Sequence, residues 1–367
     1  MLLAASRVPA AAAVQVVPSV RRGGTARGAC WLCAVALSAA TGGCGEAPGS
    51  PRETTPPPPQ SYARPAYGHL AETGLFADPS ALRIANDAVA FEPTFWLWSD
   101  GANKRRWLRL PPGTRIDTTD MDHWIFPIGS KLWKEFSLGG VLLETRLIER
   151  YGEGPEDYWM GAFVWNAGQT EAVLAPDGQM NIGGTRHDAP DTQQCGACHG
   201  GEPGRVLGFS ALQLSRPPNS SRVGPTLSDL IRQELLTNPP TSGRQGPVSA
   251  PRTGATAALG YLHANCGHCH NRNGVAWPDT QMVLRLGMAE PDLVQSEVYR
   301  SLVGRDLQFW GNGVITKRVV AGNPSASAVV ARMSVRGNAD QMPPLATEEP
   351  DREGLAQIES WISSLAP

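Results

Sequence analysis

Acidic residues are missing from the first 44 positions, where four arginines are the only charged side chains. The remaining 28 basic residues face 34 acidic ones, so the overall net charge of −2 conceals a net of −6 beyond the leader. That balance argues against a nucleic-acid partner and for a neutral or basic one. Long apolar runs are scarce too. Ala29 to Ala40, preceded by Arg21, Arg22 and Arg27, is too short to cross a membrane and stay there. Followed by Thr41-Gly42-Gly43-Cys44, it reads as an export signal spanning 1–44. The small residues before Cys44 fit a lipoprotein cleavage site except at Thr41, where leucine is preferred. Lipidation of Cys44, giving a membrane tether, and simple cleavage nearby both stay open. Residues 45–66, with Pro56–Pro59, cannot bury a core and read as an extended proline-rich linker.

Catalytic signals are also sparse. Glu144, Glu149, Glu153, Glu156 and Asp157 form no acid/base pair that spacing supports, and no nucleophile stands beside a base, so no catalytic residue is assigned.

Cysteine is rare, at seven in 367 residues, and four of the seven fall in two Cys-x-x-Cys-His units. These are Cys195-Gly196-Ala197-Cys198-His199 and Cys266-Gly267-His268-Cys269-His270. The 71 positions between them are too many for one zinc ribbon, and a thioredoxin-type dithiol would need a βαβ context that is lacking. The pattern fits covalent haem attachment. Two thiols on one helical turn each add to a vinyl group, and the following histidine becomes an axial ligand of the iron.

Around the second unit, Ala255, Ala258, Leu259 and Leu262 recur at helical spacing, so a helix is expected over Thr253–Asn265, with His263 on the same face. Downstream, Met342 in Gln341-Met342-Pro343-Pro344 can supply a sixth ligand from a loop stiffened by two prolines. Leu355, Ile358, Ile362 and Leu365 then predict a terminal helix that lays its apolar stripe and Trp361 on the helix before Cys266. The first unit is less complete, because neither methionine nor histidine occurs between His199 and His263. His263 is the expected sixth ligand. His187, Met180 or His123 can replace it, the position can be open, or His263 can instead be a buried histidine bonded to backbone. His268 is expected to be a solvent-facing spacer.

From about Leu70 to Asn181 the pattern becomes β, with strands expected over Arg106–Leu110, His123–Phe126, Lys131–Phe136 and Val141–Ile148. Pro111-Pro112-Gly113, Pro127-Ile128-Gly129 and Gly139-Gly140 punctuate them as turns. An antiparallel sandwich or small barrel is expected. Seven of eleven tryptophans, Trp96, Trp98, Trp107, Trp124, Trp133, Trp159 and Trp165, gather here and suggest an aromatic core. Asp100, Lys104, Arg105 and Arg106 can form either a solvated turn or a site for a small molecule or haem carboxylate.

Residues 251–367 resemble a class I cytochrome c domain, with Cys266 and Cys269 as attachment points and His270 and Met342 as axial ligands. The chain from about 70 to 367 resembles a group of bacterial dihaem c-type cytochromes in which such a domain follows an N-terminal β domain. The resemblance implies an α+β multidomain chain, with a β-rich domain at 67–185, a first haem-binding segment at 186–250 and the cytochrome c domain at 251–367. It also implies two covalently attached haems c with their iron, and electron relay between periplasmic or membrane redox proteins. A haem oxidoreductase with an open first centre and a lipoprotein adaptor whose β domain docks a partner are the alternatives.

Overall fold

Aromatic and β-branched residues between turn signals build strands here, because such side chains pack well on a pleated surface. The computed structural model describes residues 63–216, 220–240, 254–289, 292–308, 311 and 313–366. The stretch read as an export signal, Cys44, most of the proline-rich stretch and the expected junction at 250/251 lie outside the described residues. All the described residues fall in one compact unit, Pro58–Pro367.

Its strands are β1 (Phe76–Asp78), β2 (Arg83–Ile84), β3 (Val89–Ala90), β4 (Asn103–Arg109), β5 (Lys131–Leu138), β6 (Val141–Arg150), β7 (Tyr158–Trp165) and β8 (Ala172–Leu174). β3 to β8 form one antiparallel sheet in strict chain order, and β1 pairs with β2. The expected sandwich or barrel is therefore corrected to an open six-stranded meander. β5 turns into β6 through Gly139 and Gly140, with φ of 58° and 85°, a two-residue turn that needs left-handed backbone at both positions. His123–Phe126 is not a strand; Ile125 makes one antiparallel bridge, with Asp117.

Both faces of the meander are covered. Trp107, Trp133, Leu147, Phe163 and Trp165 face one way, packing with Leu70, Leu75 and Ala88 from the segment before the sheet. On the other face, Leu108 and Leu132 join Phe91, Trp124, Phe126, Val206, Phe209 and Leu227. The tryptophan core is confirmed for Trp107, Trp124, Trp133, Trp159 and Trp165, which are buried. Trp96 and Trp98 are only half-buried.

The helices are α1 (Thr192–His199), α2 (Ala211–Leu214), α3 (Leu227–Arg232), α4 (Gly254–Asn265), α5 (Trp277–Thr280), α6 (Glu297–Leu302), α7 (Ala328–Met333) and α8 (Arg352–Ser363). Among the described residues no helix is long and apolar enough to cross a membrane. The helical periodicity locates the C-terminal core, since Ala258, Leu259, Leu262, Ile358 and Ile362 are fully buried in one cluster with Trp361. Phe95 and Leu212 join that cluster, so the β-rich and C-terminal segments share a core. α4 and α8 meet at Gly354, where an added Cβ would lie 2.1 Å from the Tyr261 ring.

Gly354→Ala tests that crossing. Alanine favours an isolated helix over glycine by up to about 1 kcal/mol, whereas overpacking costs about 1–3 kcal/mol. The variant should unfold at lower urea than wild type, and an unchanged or higher midpoint would refute close contact between α4 and α8.

Candidate haem-attachment site

The first Cys-x-x-Cys-His unit rides on α1, which Asp191 starts by accepting the Gln194 amide at 2.7 Å while Gln194 Oε1 accepts the Asp191 amide at 3.2 Å. Cys195, Cys198 and His199 thus lie on the last turns of a capped helix. His199 Nδ1 donates to the Arg205 carbonyl at 2.6 Å, and burial pushes its imidazole down to about 4, so it is neutral near pH 7. With the proton on Nδ1, Nε2 keeps the lone pair that a metal ligand needs.

The second unit continues from α4 as a further turn, in which the Cys269 and His270 amides donate to the Cys266 carbonyl at 3.1 and 2.9 Å. His270 is buried, and burial pushes it down to about 4. Thr280 Oγ1 lies 3.5 Å from His270 Nδ1 and spends its own proton on the Ala276 carbonyl at 2.6 Å, so the hydroxyl oxygen is placed to accept from the imidazole. Burial raises the Cys195 and Cys266 thiols to about 11 and about 12. Both sulfurs are therefore neutral, and a thioether would leave them so.

The two turns converge. Cys198, His268 and Cys269 offer ligand atoms within 4.8 Å of one another, although their motifs are 71 residues apart. His268 is thus not the expected solvent-facing spacer; its imidazole sits beside sulfurs of both units. Cys269 hydrogen-bonds to Cys198, which holds the Cys198 thiol well below its ordinary value, against burial, and raises Cys269. The approach depends on small residues. A Cβ on Gly201 would lie 2.6 Å from the His268 carbonyl and 2.9 Å from the Gly274 Cα.

Two cavities flank this junction, and His268, Cys269, His270, Met342, Pro343 and Pro344 form their common wall. The smaller, about 140 Å³, also meets Cys266, and its wall includes Leu284, Leu302, Val329 and Met333 together with Arg318 and Arg332. His270 and Met342 both line it, so the imidazole and the thioether would be the residues to hold an iron there. The larger, about 270 Å³, holds Cys195, Cys198 and His199 against the sheet face of β4 to β7. An apolar cavity with two sulfurs, an oriented neutral histidine and a thioether, and a second with two sulfurs and an oriented histidine, match the donor chemistry of haem c. The residues fit the group.

The expected sixth ligands of the first unit separate clearly. His263 lines the larger cavity, but its Nδ1 accepts the Leu286 amide at 3.2 Å, so Nε2 carries the proton and has no lone pair to give. Burial, with Arg285 nearby, pushes it down to about 3. His263 is thus the backbone-bonded histidine of the alternative expectation. His187 Nε2 is committed to Glu144 at 2.7 Å. Met180 is exposed, and His123 pairs with Glu202 at 3.1 Å; neither lines the cavity. Met160 on β7 does line it and was overlooked, though its place opposite Ile148 on the cavity-facing side of the sheet follows from strand alternation.

The stretch Trp96–Asp100 straps the second unit from both sides. The Trp98 amide donates to Asn265 Oδ1 at 2.7 Å, just before Cys266, and Asn265 Nδ2 donates to the Trp96 carbonyl at 2.9 Å. Asp100 accepts the Glu348 and Glu349 amides at 3.0 and 2.9 Å, beyond the Met342 loop. Asp100 is therefore an anchor and not a solvated turn.

Comparison with protein-family models, curated proteins and solved structures finds no match for this chain.

Glu144 supports the larger cavity from beneath. It is fully buried, and although burial alone would raise its carboxyl, the Arg146 charge and the His187 hydrogen bond lower it. A carboxyl lowered by folding stabilises above its ordinary value of 4.5, and that stability disappears as pH falls through the folded value. Glu144→Gln should cost about 3 kcal/mol at neutral pH by leaving Arg146 unpaired. It should also weaken the acid-induced loss of stability seen in wild type, read from urea midpoints across the acid range. A variant with the wild-type midpoint and acid profile would remove Glu144 from this role.

Proposed function

We propose that this protein is an exported dihaem c-type cytochrome that relays electrons between periplasmic or membrane redox partners. The observation that carries the reading is the meeting of the two Cys-x-x-Cys-His turns, with Cys198 beside Cys269. Cys195 and Cys198 would hold one haem and Cys266 and Cys269 the other, with His199 and His270 as proximal ligands and Met342 completing the second site. A haem held this way supplies a one-electron centre whose potential is set by its axial ligands and surroundings.

The side chains have modest work in such a relay. They fix two centres close together, exclude water and keep the ligating histidines neutral, and electron exchange benefits because tunnelling weakens steeply with distance. Proton transfer is not required of any residue in such a relay. The Arg205 carbonyl and Thr280 orient the two histidines. On this reading the export signal supports the haem assignment, since the thioether bonds of haem c in bacteria are made outside the cytoplasmic membrane. A lipidated Cys44 would tether the relay to a membrane.

One observation favours a second reading, a haem oxidoreductase whose first centre is open. His263, which lines the larger cavity, has no lone pair to offer an iron there. Peroxide turnover with a high-spin signal would select it.

Expression with haem-maturation enzymes should give a chain whose mass includes two covalent haems, and Cys266→Ala with Cys269→Ala should remove one of them. A colourless chain, or one that binds zinc at Cys198, His268 and Cys269 in place of haem, would defeat the proposal. Met342→Ala should lower the potential of one centre strongly, because a thioether sulfur favours reduced iron. Unchanged potentials would dismiss Met342 as a ligand.

A further inference from the structure

The meander carries an excess of positive charge on the face that walls the larger cavity. Register sets Arg106 on β4 opposite Lys134 on β5, and Lys134 opposite Arg146 on β6, which makes a row of three cations across adjacent strands. One pair further along, Lys104 stands opposite Phe136, and Phe136 opposite Glu144. Like charges directly opposite each other destabilise a sheet. Glu144 is the one acid in these two rows, and Arg146 and His187 occupy it. Among the described residues no carboxylate lies within ion-pairing distance of Lys104, Arg106 or Lys134. The nearby acids are engaged elsewhere: Glu92 takes the Val223 amide, Asp100 the amides of 348 and 349, and Asp351 caps α8.

Aromatic faces offset part of this charge. The Phe136 ring meets Lys134 at 4.8 Å, Arg146 at 4.5 Å and Lys104 at 5.9 Å, and Trp96 meets Arg106 at 5.7 Å. Arg106 is nevertheless only 5% exposed, and its Nη1 has no hydrogen-bond partner. A buried guanidinium with an idle donor is costly unless a ligand completes it. Burial and the neighbouring cations also hold Lys104 down at about 7 and Lys134 well below the ordinary lysine value, the pattern of a face that lacks an anion.

We propose that Arg106, Lys134 and Arg146 form a carboxylate-binding site in the cavity beside Cys195, Cys198 and His199. All three line that cavity, while Leu132, Ile148 and Met160 from the same face supply apolar contact, so the ligand is an organic acid with an apolar body. Two sources share this chemistry: the carboxylates of a haem held by Cys195 and Cys198, which rests on the reading above, or a free organic acid entering the cavity, which does not. The stretch from Lys104 to Arg106 sorts accordingly. Arg105 points to the opposite face, where it binds Glu135 at 2.6 Å, and of the three only Arg106 lines the cavity.

The test uses the matured full-length chain, its Arg106→Gln and Lys134→Gln variants, and benzoate as a probe followed by fluorescence of Trp98, which lines the cavity. Saturable benzoate binding, weakened at least about tenfold in both variants, establishes the free-acid source. Failure of wild type to bind benzoate, together with a lower and newly pH-dependent potential of one centre in both variants, establishes the haem source. Wild-type benzoate behaviour and wild-type potentials in both variants overturn the proposal, as does a chain with neither haem nor benzoate affinity. Haem counted by mass reports separately on the relay. Because Lys134→Gln removes a like charge from the row, it keeps the test open where Arg106→Gln does not fold.

Discussion

Close backbone contact between the turn after α1 and the turn after α4 is the constraint on which the rest of this structure depends. It requires glycine at 201, where a side chain would strike the His268 carbonyl and the Gly274 Cα of the opposite segment, and at 274, where one would strike the Cys269 carbonyl of its own turn. Because those backbones touch, Cys198 meets Cys269, the two cavities share a wall, and the Met342 loop can border both. Other contacts hold the alignment. Glu202, three residues beyond His199, pairs with Arg285 and with His123, while Arg285 also donates to the Asp122 carbonyl. Three chain segments are thus tied around one buried carboxylate. Such a network is a stringent positioning device, since removing any partner strands charge in the interior.

Much of the helical part could be read from the residues alone. α4 and α8 follow a period that only helix satisfies. The two Cys-x-x-Cys-His units are local, so their geometry is local as well. Their meeting is not: it arises from backbone proximity at glycines whose spacing has no period. Likewise β4, β5 and β6 were visible, but the form of the sheet was not, because alternation fixes which side chains share a face and says nothing of whether edge strands join. The misjudged His268 and the overlooked Met160 have the same origin. Each acquires its neighbours only through tertiary contact.

His263 shows how one hydrogen bond can decide a role. Its position on the α4 face pointed toward the larger cavity, and the structure places it there. The Leu286 amide then fixes its tautomer, and with it the chemistry the ring can offer. His199 lies at the other limit. There a carbonyl accepts from Nδ1, which frees Nε2 for a metal. Two histidines around one cavity are thereby made a donor and an acceptor by backbone groups alone.

The meander bears on what the β-rich segment is for. If it were a docking module merely attached to haem-binding helices, its two faces would be filled by its own residues and its core would be separate. Instead one face is completed by Val206, Phe209 and Leu227 from beyond α1, and Phe95 enters the core of α4 and α8. Gly260 leaves room for that ring, since an added Cβ would lie 2.0 Å from it. A sheet that lends one face to the cavity and a strap to the second Cys-x-x-Cys-His turn cannot be deleted without opening both. The arrangement therefore favours a sheet that serves as scaffold and wall for the larger cavity over one that serves as a separable adaptor. Its buried cations then follow from position, because a wall facing an organic acid needs charge where the interior would otherwise forbid it.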